Sequence, residues 1–195
     1  TPWMKDLVND VYLASVTGFK KLDDNQALSA SVRYFSLGNI QFTDFTGAPL
    51  GTEHRPREFG VDLGYSRKLS DKSGVGITLK YINSALTGGL TNGSTTYKTG
   101  SSVAADLAYY HDGKKNGTGL AWGAVLSNLG AKIAYTSNAD AKDFIPANLG
   151  LGLNYTKKYN STKTLSFGAE FNKLLVPTPP GAGATAADLA AYRNK

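Results

Sequence analysis

One stretch of the sequence, residues 58–82, restricts the possible fold more than any other. Two runs that alternate apolar with small or charged residues are separated there by a polar segment, residues 70–74. Successive side chains of a β-strand lie on opposite faces, so each run collects its apolar residues on one face. The stretch therefore predicts a β-hairpin with one continuous apolar face, which contacts either a protein core or lipid.

The same alternation recurs along the chain and predicts eight strands. They are predicted at about residues 9–20, 27–37, 57–69, 75–83, 97–110, 120–127, 149–155 and 165–172. The first of them is ambiguous, because both of its faces carry apolar residues. Residues 1–8 are predicted as a loop that carries Trp3, and only residues 184–195 have the composition of a helix.

The connections between the predicted strands alternate between short and long. Short polar turns are predicted at residues 22–26, 70–74, 111–118 and 157–163, and long loops at residues 38–56, 84–96, 128–146 and after 173. Short and long connections then lie at opposite ends of the sheet, which is typical of up-and-down membrane barrels and not of immunoglobulin-like sandwiches. A strand of about 11 residues, tilted by about 40°, rises about 28 Å and spans the apolar band of an outer membrane.

The two faces of the predicted sheet differ in chemical character. Between two belts of aromatic residues, one face carries aliphatic residues and no charge, as the two membrane interfaces favour. The residues of these belts are Tyr34, Tyr65, Tyr81, Tyr109, Tyr155 and Phe171. We therefore predict an all-β, antiparallel, up-and-down transmembrane β-barrel. A soluble barrel with an internal apolar face is the alternative, although its outer face would then be rich in Gly and Ser.

Five charged residues interrupt the small, polar face, and we predict that they point into a wet barrel lumen. Neighbouring carboxylates can perform acid–base chemistry, but here they are more simply interpreted as balancing the basic residues of the lumen. The predicted lumen-facing residues are Arg33, Asp62, Lys80, Asp106 and Glu170.

Several function classes are disfavoured by composition and by the motifs. The chain contains no cysteine, which excludes disulfides, thiolate metal sites and a cysteine nucleophile. His54 and His111, the two histidines, lie in predicted loops without the spacing of metal ligands. Walker, HExxH and GxSxG motifs do not occur, and no run of 18 apolar residues predicts a transmembrane helix. We accordingly predict no catalytic residues, no cofactor and no bound metal.

The formal net charge of +6 raises the possibility of nucleic-acid binding. Ten of the 21 basic residues, however, lie in or beside the four short turns and form no stripe along one helix or sheet face. Charges in solvated or interfacial turns are the simpler interpretation, so we predict no nucleic-acid partner.

The long loops are predicted to form a surface for partners or cargo, because rim loops and proline-rich segments present ordered backbone to other proteins. The proline-rich stretch is equally compatible with a simple spacer. The residues of the predicted surface are Phe42, Phe45, His54, Arg55, Leu174, Leu175, Val176, Pro177, Pro179 and Pro180.

Several unusual segments resemble the PorV family, also called LptO. They are TPWMKDLVNDVYLASVTGF, SVRYFSLGNIQFTD, RPREFGVDLGYSRKLS and FNKLLVPTPP, which together run over nearly the whole chain. Members of this family are outer-membrane proteins of the type IX secretion system of Bacteroidota and are distantly related to FadL-type channels. The resemblance implies a barrel of about 14 strands. Residues 1–195 are thus predicted to be one partial barrel domain, without the N-terminal signal and plug and without the C-terminal strands.

The resemblance also implies a role in secretion at the bacterial outer membrane rather than catalysis. Family members associate with the SprA-type translocon barrel, collect cargo through its C-terminal signal domain, and pass it to the attachment complex that includes the PorU sortase. A FadL-like channel for hydrophobic small molecules is the alternative, which requires an apolar lumen. A third hypothesis, an enzyme within a barrel, requires a nucleophile–base–acid set that the motifs do not indicate.

Overall fold

The computed structural model describes residues 10–87, 89, 91–137, 142–181 and 183–193, so the predicted loop around Trp3 lies outside the described residues. Within these residues the chain contains fourteen strands and one helix. The strands are β1 (Val11–Lys21), β2 (Gln26–Leu37), β3 (Ile40–Thr43), β4 (Pro49–His54), β5 (Arg57–Ser70), β6 (Ser73–Ala85), β7 (Thr91–Asn92), β8 (Thr95–Thr96), β9 (Gly100–Asp112), β10 (Gly119–Gly130), β11 (Ile133–Ala134), β12 (Lys142–Asp143), β13 (Asn148–Lys158) and β14 (Thr164–Leu174), and the helix is α1 (Ala186–Arg193).

The eight longest strands form one antiparallel sheet in the order β1-β2-β5-β6-β9-β10-β13-β14. Spatial neighbours in this sheet follow each other along the chain, so the sheet is an up-and-down meander. The predicted all-β, antiparallel, up-and-down architecture is therefore confirmed. The edge strands are β1 and β14, and among the described residues no pairing joins them.

The strand register arranges the apolar residues in rows across the sheet. Leu63 pairs with Leu79, which in turn pairs with Ala105. The ambiguity of the first strand is resolved by an aromatic contact, because the ring of Tyr12 lies 5.9 Å from that of Tyr34. The even-numbered residues of β1 therefore belong to the apolar face and its odd-numbered residues to the polar face.

No protein layer covers the apolar face in the described part of the chain. The side chains of Val16, Leu63 and Phe171 are 74%, 61% and 66% exposed. The one buried hydrophobic cluster that the described residues form is small and centred on Ala104, which pairs with Lys80 on the opposite, polar face. Packing against a protein core is therefore not what holds this sheet together; the ladder of backbone hydrogen bonds is its main internal support.

The short turns are closed by polar side chains within the turns themselves. In the first, the carboxylate of Asp23 accepts hydrogen bonds from the N–H of Asn25 and the amide of Gln26, both at 2.7 Å. In the last, Asn160 Oδ1 accepts from the N–H of Lys163 at 2.8 Å. Asp and Asn favour turns for this reason, and the short turns lie where the sequence predicts them.

The long connections are more regular than predicted. Three segments expected to be irregular loops contain the short hairpins β3–β4, β7–β8 and β11–β12. Their strands have two to six residues, too few for alternation to be visible in the sequence. The strand predicted from residue 97 begins at Gly100 instead, because Tyr97 pairs with Thr136 of the loop after β10.

The predicted C-terminal helix is present as α1. Its first turn is held by a reciprocal pair of hydrogen bonds: Thr185 N–H donates to the Asp188 carboxylate at 2.9 Å, and Asp188 N–H donates to Thr185 Oγ1 at 3.2 Å. This arrangement is a capping box with Asp in place of Glu. Within the described ranges, no helix is both long enough and apolar enough to cross a membrane.

Candidate functional site

Two parts of the fold carry the residues predicted to function. The long-loop end consists of the connections at residues 38–56, 86–99 and 131–147 and of the segment from residue 175. The polar face is the side of the eight-stranded sheet opposite the apolar rows. In a meander, successive connections alternate between the two ends of the strands. All the long connections therefore lie at one end of the sheet and all the short turns at the other.

The β3–β4 hairpin brings together two of the predicted surface residues and separates a third from them. The rings of Phe42 and His54 stack with centroids 6.4 Å apart and an interplanar angle of 16°. Phe45 lies at the tip of the hairpin and is fully exposed, at 101%. A large apolar side chain held at the end of a hairpin is a natural anchor for a partner.

Polar contacts fix both ends of this hairpin. At the tip, the Asp44 carboxylate accepts hydrogen bonds from the hydroxyl of Thr46 at 2.6 Å and from the N–H of Ala48 at 2.9 Å. The Thr46 hydroxyl bond first, and then the backbone N–H bonds, lower the pKa of Asp44. At the base, Arg55 forms an ion pair of 3.8 Å with Asp10. Arg55 thus ties the hairpin to the start of the sheet.

Both histidines lie in strands and not in the loops that the sequence predicts; His111 belongs to β9. His54 is the last residue of β4. The residue is half-buried, and its Nε2 is buried without a hydrogen-bond partner among the described residues. The two histidines lie far apart in the chain, and the described residues contain no group of three His, Cys, Asp or Glu side chains arranged to hold a metal ion. Stacking on Phe42 is the structural role that the geometry gives to His54.

The second predicted loop region begins where the last strand ends. Leu174 is the final residue of β14 and is 60% exposed. Leu175, 44% exposed, donates its N–H to the carbonyl of Ala147 at 2.8 Å and so continues the contact with the preceding loop. Val176, Pro177, Pro179 and Pro180 follow without regular structure. This region lies at the β14 edge of the sheet, whereas the β3–β4 hairpin follows β2 near the other edge.

Four of the five predicted lumen residues meet on the polar face. Arg33 Nη2 lies 2.7 Å from Asp62 Oδ2, and Lys80 Nζ lies 2.6 Å from Asp106 Oδ2. All four line one open cavity of about 420 Å³. Glu170 lies apart on the edge strand β14, where it accepts a hydrogen bond from the neighbouring Asn172 at 2.6 Å. Each basic residue of the cluster is matched by a carboxylate, so the arrangement neutralises charge and leaves no carboxylate pair poised for acid–base chemistry.

Asn128 is a central residue of this cluster that the sequence did not single out. Its side-chain oxygen accepts a hydrogen bond from Lys80 at 3.0 Å, and its backbone N–H donates to Asp106 at 2.8 Å. Its side-chain amide donates to the carbonyl of Pro146 at 3.0 Å. Asn128 has a φ of +57°, a conformation that Asn tolerates better than most residues. The signal in the sequence was an Asn followed by Leu-Gly at the end of a strand, which is too weak to read alone.

Beside Asn128, residues 131–135 of the loop after β10 fold inward over the polar face. The hydroxyl of Ser102 donates to the carbonyl of Ala131, and Ile133 buries itself against Ala104. The same loop pairs with the preceding one, since Lys98 N–H donates to the carbonyl of Tyr135 at 2.8 Å. The second and third long connections are therefore joined to each other, since Ser137 N–H also donates to the carbonyl of Thr96 at 3.0 Å.

The last helix also joins this assembly. The ring of Tyr192 in α1 meets the ring of Phe144 edge-on at 5.5 Å, and the ammonium of Lys132 lies 4.1 Å from the centroid of the Phe144 ring. The segment after β14 thereby packs against the loop that follows β10. The β3–β4 hairpin, whose Phe45 is the most exposed large apolar residue of the described chain, stands apart from this assembly.

A comparison with protein families identifies what this architecture belongs with. The family model described as "Type IX secretion system protein PorV" matches residues 1–181 of the 195. The matched range includes all eight strands of the sheet and the inward-folded loop. No curated protein sequence matches the chain significantly.

Proposed function

The chain belongs to the PorV family of type IX secretion system proteins, and we propose that it is a non-enzymatic, multi-pass β-barrel component of this system in the bacterial outer membrane. In this proposal it binds a SprA-type translocon barrel, receives cargo by its C-terminal signal domain and delivers the cargo to the PorU-type attachment complex. The family match is the observation that carries the proposal, because it covers nearly the whole chain.

The exposed apolar face supports the placement in a membrane. Burial of apolar surface is worth roughly 25 cal/mol per Å². An uncovered apolar face that extends over eight strands is therefore costly in water and favourable in lipid. β13 has 11 residues and, tilted by about 40°, rises about 28 Å, which matches the apolar thickness of an outer-membrane barrel. The soluble alternative needs a protein layer over this face.

The long-loop end supports the role in partner or cargo binding. Phe45 and Leu174 project from it as exposed apolar side chains. Aromatic residues such as Phe45 are enriched in protein interfaces relative to the rest of the surface. The proposed contact residues remain those of the two loop regions: Phe42, Phe45, His54, Arg55, Leu174, Leu175, Val176, Pro177, Pro179 and Pro180.

The FadL-like channel receives less support from the polar face. A path for hydrophobic molecules needs apolar lining, whereas the cavity beside Arg33, Asp62, Lys80 and Asp106 is lined by ion pairs. Desolvating these groups to pass an apolar ligand would be costly.

Deletion of the gene and complementation with variants test the proposal. We expect deletion to abolish surface display of type IX cargo and the wild-type gene to restore it, while Phe45→Ser reduces display about tenfold because an anchor at the interface is worth about 1–2 kcal/mol or more. Tyr159→Ser is the matched control, since Tyr159 is an aromatic residue 59% exposed in a short turn at the opposite end.

Surface-labelled cargo and co-purification with the translocon are the measurements. Normal cargo display in the deletion strain would contradict the proposed role in secretion. If Tyr159→Ser impaired display as much as Phe45→Ser, the assignment of the partner surface to the long-loop end would be wrong.

A further inference from the structure

The net positive charge of the chain is confined to one end of the sheet. The four short-turn regions contain ten basic and four acidic residues, a surplus of six that equals the formal net charge of the whole chain. The remaining residues contain eleven of each sign. The ten basic residues are Lys20, Lys21, Arg67, Lys68, Lys72, Lys114, Lys115, Lys157, Lys158 and Lys163.

Only part of this charge is neutralised within the turns. Lys21 pairs with Asp24 at 2.7 Å, Lys68 with Asp71 at 2.6 Å, and Lys114 with Asp112 at 3.3 Å. Across the ranges that the structure describes, the other seven basic residues have no carboxylate oxygen within 4.0 Å. The short-turn end therefore presents a positive surface to an outside partner.

Three of these seven residues continue the apolar rows toward the short turns. By strand alternation Arg67 follows Tyr65 on the apolar face of β5, and Lys157 follows Tyr155 on the apolar face of β13. Lys20 shares the face of Val16 on β1 and is exposed. Each of these three strands, β1, β5 and β13, thus ends on this side with a cation just past its apolar part. We call Lys20, Arg67 and Lys157 the basic collar.

We propose that the basic collar binds the headgroups of anionic glycerophospholipids. The inference rests on the proposed membrane-spanning function, which puts the collar at the level of the headgroups. Long basic side chains can keep their stems along the apolar surface and place their charges among the phosphates. The attraction to an anionic lipid surface is worth about 1 kcal/mol per basic residue, or about fivefold in affinity.

The spread of the collar favours lipid over a protein partner. Its three residues lie on the first, third and seventh strands of the sheet, a span of about 29 Å at about 4.8 Å per strand. They also stand in line with side chains of the apolar face. Separate headgroups around the sheet can satisfy cations placed in this way.

Trp122 offers a local probe of these lipids. It lies on the apolar face, pairs with Leu153 and is 38% exposed. Leu153 precedes Lys157 by four residues, about 13 Å along the strand, so a lipid held at Lys157 would lay its acyl chains beside Trp122. Within residues 1–195 the other tryptophan is Trp3, and Trp3→Phe leaves Trp122 as the single reporter of this part of the protein.

The experiment measures quenching of Trp122 by brominated phosphatidylglycerol and by brominated phosphatidylcholine, with the full protein reconstituted in vesicles. We expect the wild type to prefer phosphatidylglycerol, and the triple variant Lys20→Gln, Arg67→Gln and Lys157→Gln to lower this preference about fivefold at Trp122, because Lys157 is the collar residue beside this probe. The matched control is Arg57→Gln, Lys98→Gln and Lys173→Gln, which removes the same charge at the long-loop end and should retain the preference. High salt should weaken the preference, since it screens exposed charges.

Each other outcome overturns the proposal. Equal quenching by both lipids in the wild type would show that the collar does not select anionic lipid and would favour an acidic protein partner instead. If the control triple variant lost as much of the phosphatidylglycerol preference as the collar variant, the preference would depend on net charge and not on the collar. Should the triple variant fail to insert, Lys157→Gln alone must lower the preference and Lys157→Arg must keep it. Quenching by neither lipid would contradict the membrane-spanning function itself, a result distinct from insertion without lipid preference.

Discussion

Asp44 holds the tip of the β3–β4 hairpin, on which Phe45 is presented to solvent. Its carboxylate accepts hydrogen bonds from Thr46 and Ala48, and those bonds lower its pKa below the ordinary value of 3.8. A group with a lowered folded pKa stabilises the folded form above its unfolded pKa, and this contribution is lost as the pH falls through the folded value. The hairpin tip is thus expected to be intact at neutral pH and to loosen in acid, below pH 3.8.

An NMR titration of the backbone amides of Thr46 and Ala48 measures this effect. We expect both signals to shift with a common midpoint below pH 3.8, and Asp44→Asn to abolish the shift because the amide does not titrate. Asp71→Asn serves as the control, since Asp71 lies in a short turn at the other end of the sheet and should leave the hairpin titration unchanged. A midpoint at or above 3.8 would contradict the role given to the hydrogen bonds.

Side-chain partners on the polar face show what a sequence pattern can and cannot predict about single residues. Alternation was enough to predict that Arg33, Asp62, Lys80 and Asp106 share a face. It could not predict the pairing, because Lys80 lies directly opposite Asp62 in the register yet binds Asp106. Asp62 is already engaged by Arg33 and by the hydroxyl of Ser31 at 2.8 Å. Residues of two neighbouring strands compete for the Asp62 carboxylate of β5, and because β2 occupies it, Lys80 of β6 pairs with Asp106.

Among the structural elements, the long strands were predictable and the loops were not. A strand of eleven to fourteen residues shows its two faces repeatedly, so its position follows from local composition. Residues 131–135 of the loop after β10 fold inward for non-local reasons: Asn128 binds Lys80 of another strand, and Ile133 packs on Ala104. Tyr97 is a second example: its sequence predicts a continuation of β9, but it pairs with Thr136 of the loop after β10 instead.

The inward position of this loop is expected to depend on the side chain of Asn128. Asn128→Gly keeps the φ of +57° available but removes the hydrogen bonds with Lys80 and Pro146. Each bond contributes about 0.5–1.5 kcal/mol, so we expect amide hydrogen exchange in residues 131–137 to accelerate about tenfold. Asn128→Ala should accelerate it further, because a β-carbon is strained at this φ.

Asn116→Gly is the matched control for this experiment. Asn116 has a similar φ of +52° but lies in a short turn at the opposite end of the sheet. Its replacement should leave exchange of residues 131–137 unchanged. Unaltered exchange in Asn128→Gly would mean that the packing of Ile133 alone holds the loop.

At the scale of the whole molecule, the sheet has one face that is apolar and uncovered and another that is polar and partly filled. Sequence alternation predicted both faces, but it could not tell a lipid-facing surface from a buried one, because both require the same residues. The exposures of Val16 and Leu63 add the missing information, since in the described residues no element packs on them. The small buried cluster lies on the polar side, around Ala104, where a soluble fold would have kept its apolar core on the other face.

Arginine substitutions on the two faces of one strand test this orientation. Leu79 lies in a central apolar row and is 60% exposed, while the adjacent Thr78 pairs with Asp106 on the polar face. An arginine that faces the middle of a bilayer costs about 2–4 kcal/mol, whereas one that faces a wet lumen is tolerated. We therefore expect Leu79→Arg to lower the stability of the inserted protein by that amount and Thr78→Arg to change it by less than about 1 kcal/mol.

Denaturant titration of folding into phosphatidylcholine vesicles, followed by tryptophan fluorescence, measures both variants under the same conditions. In water an arginine at the 60% exposed Leu79 would be solvated and nearly neutral, so a large cost appears only if lipid contacts this position. Equal and small effects of the two substitutions would place the apolar face in water or against a mobile partner. A larger cost for Thr78→Arg would reverse the assignment of the faces, because the polar face would then be the one that is closed to water.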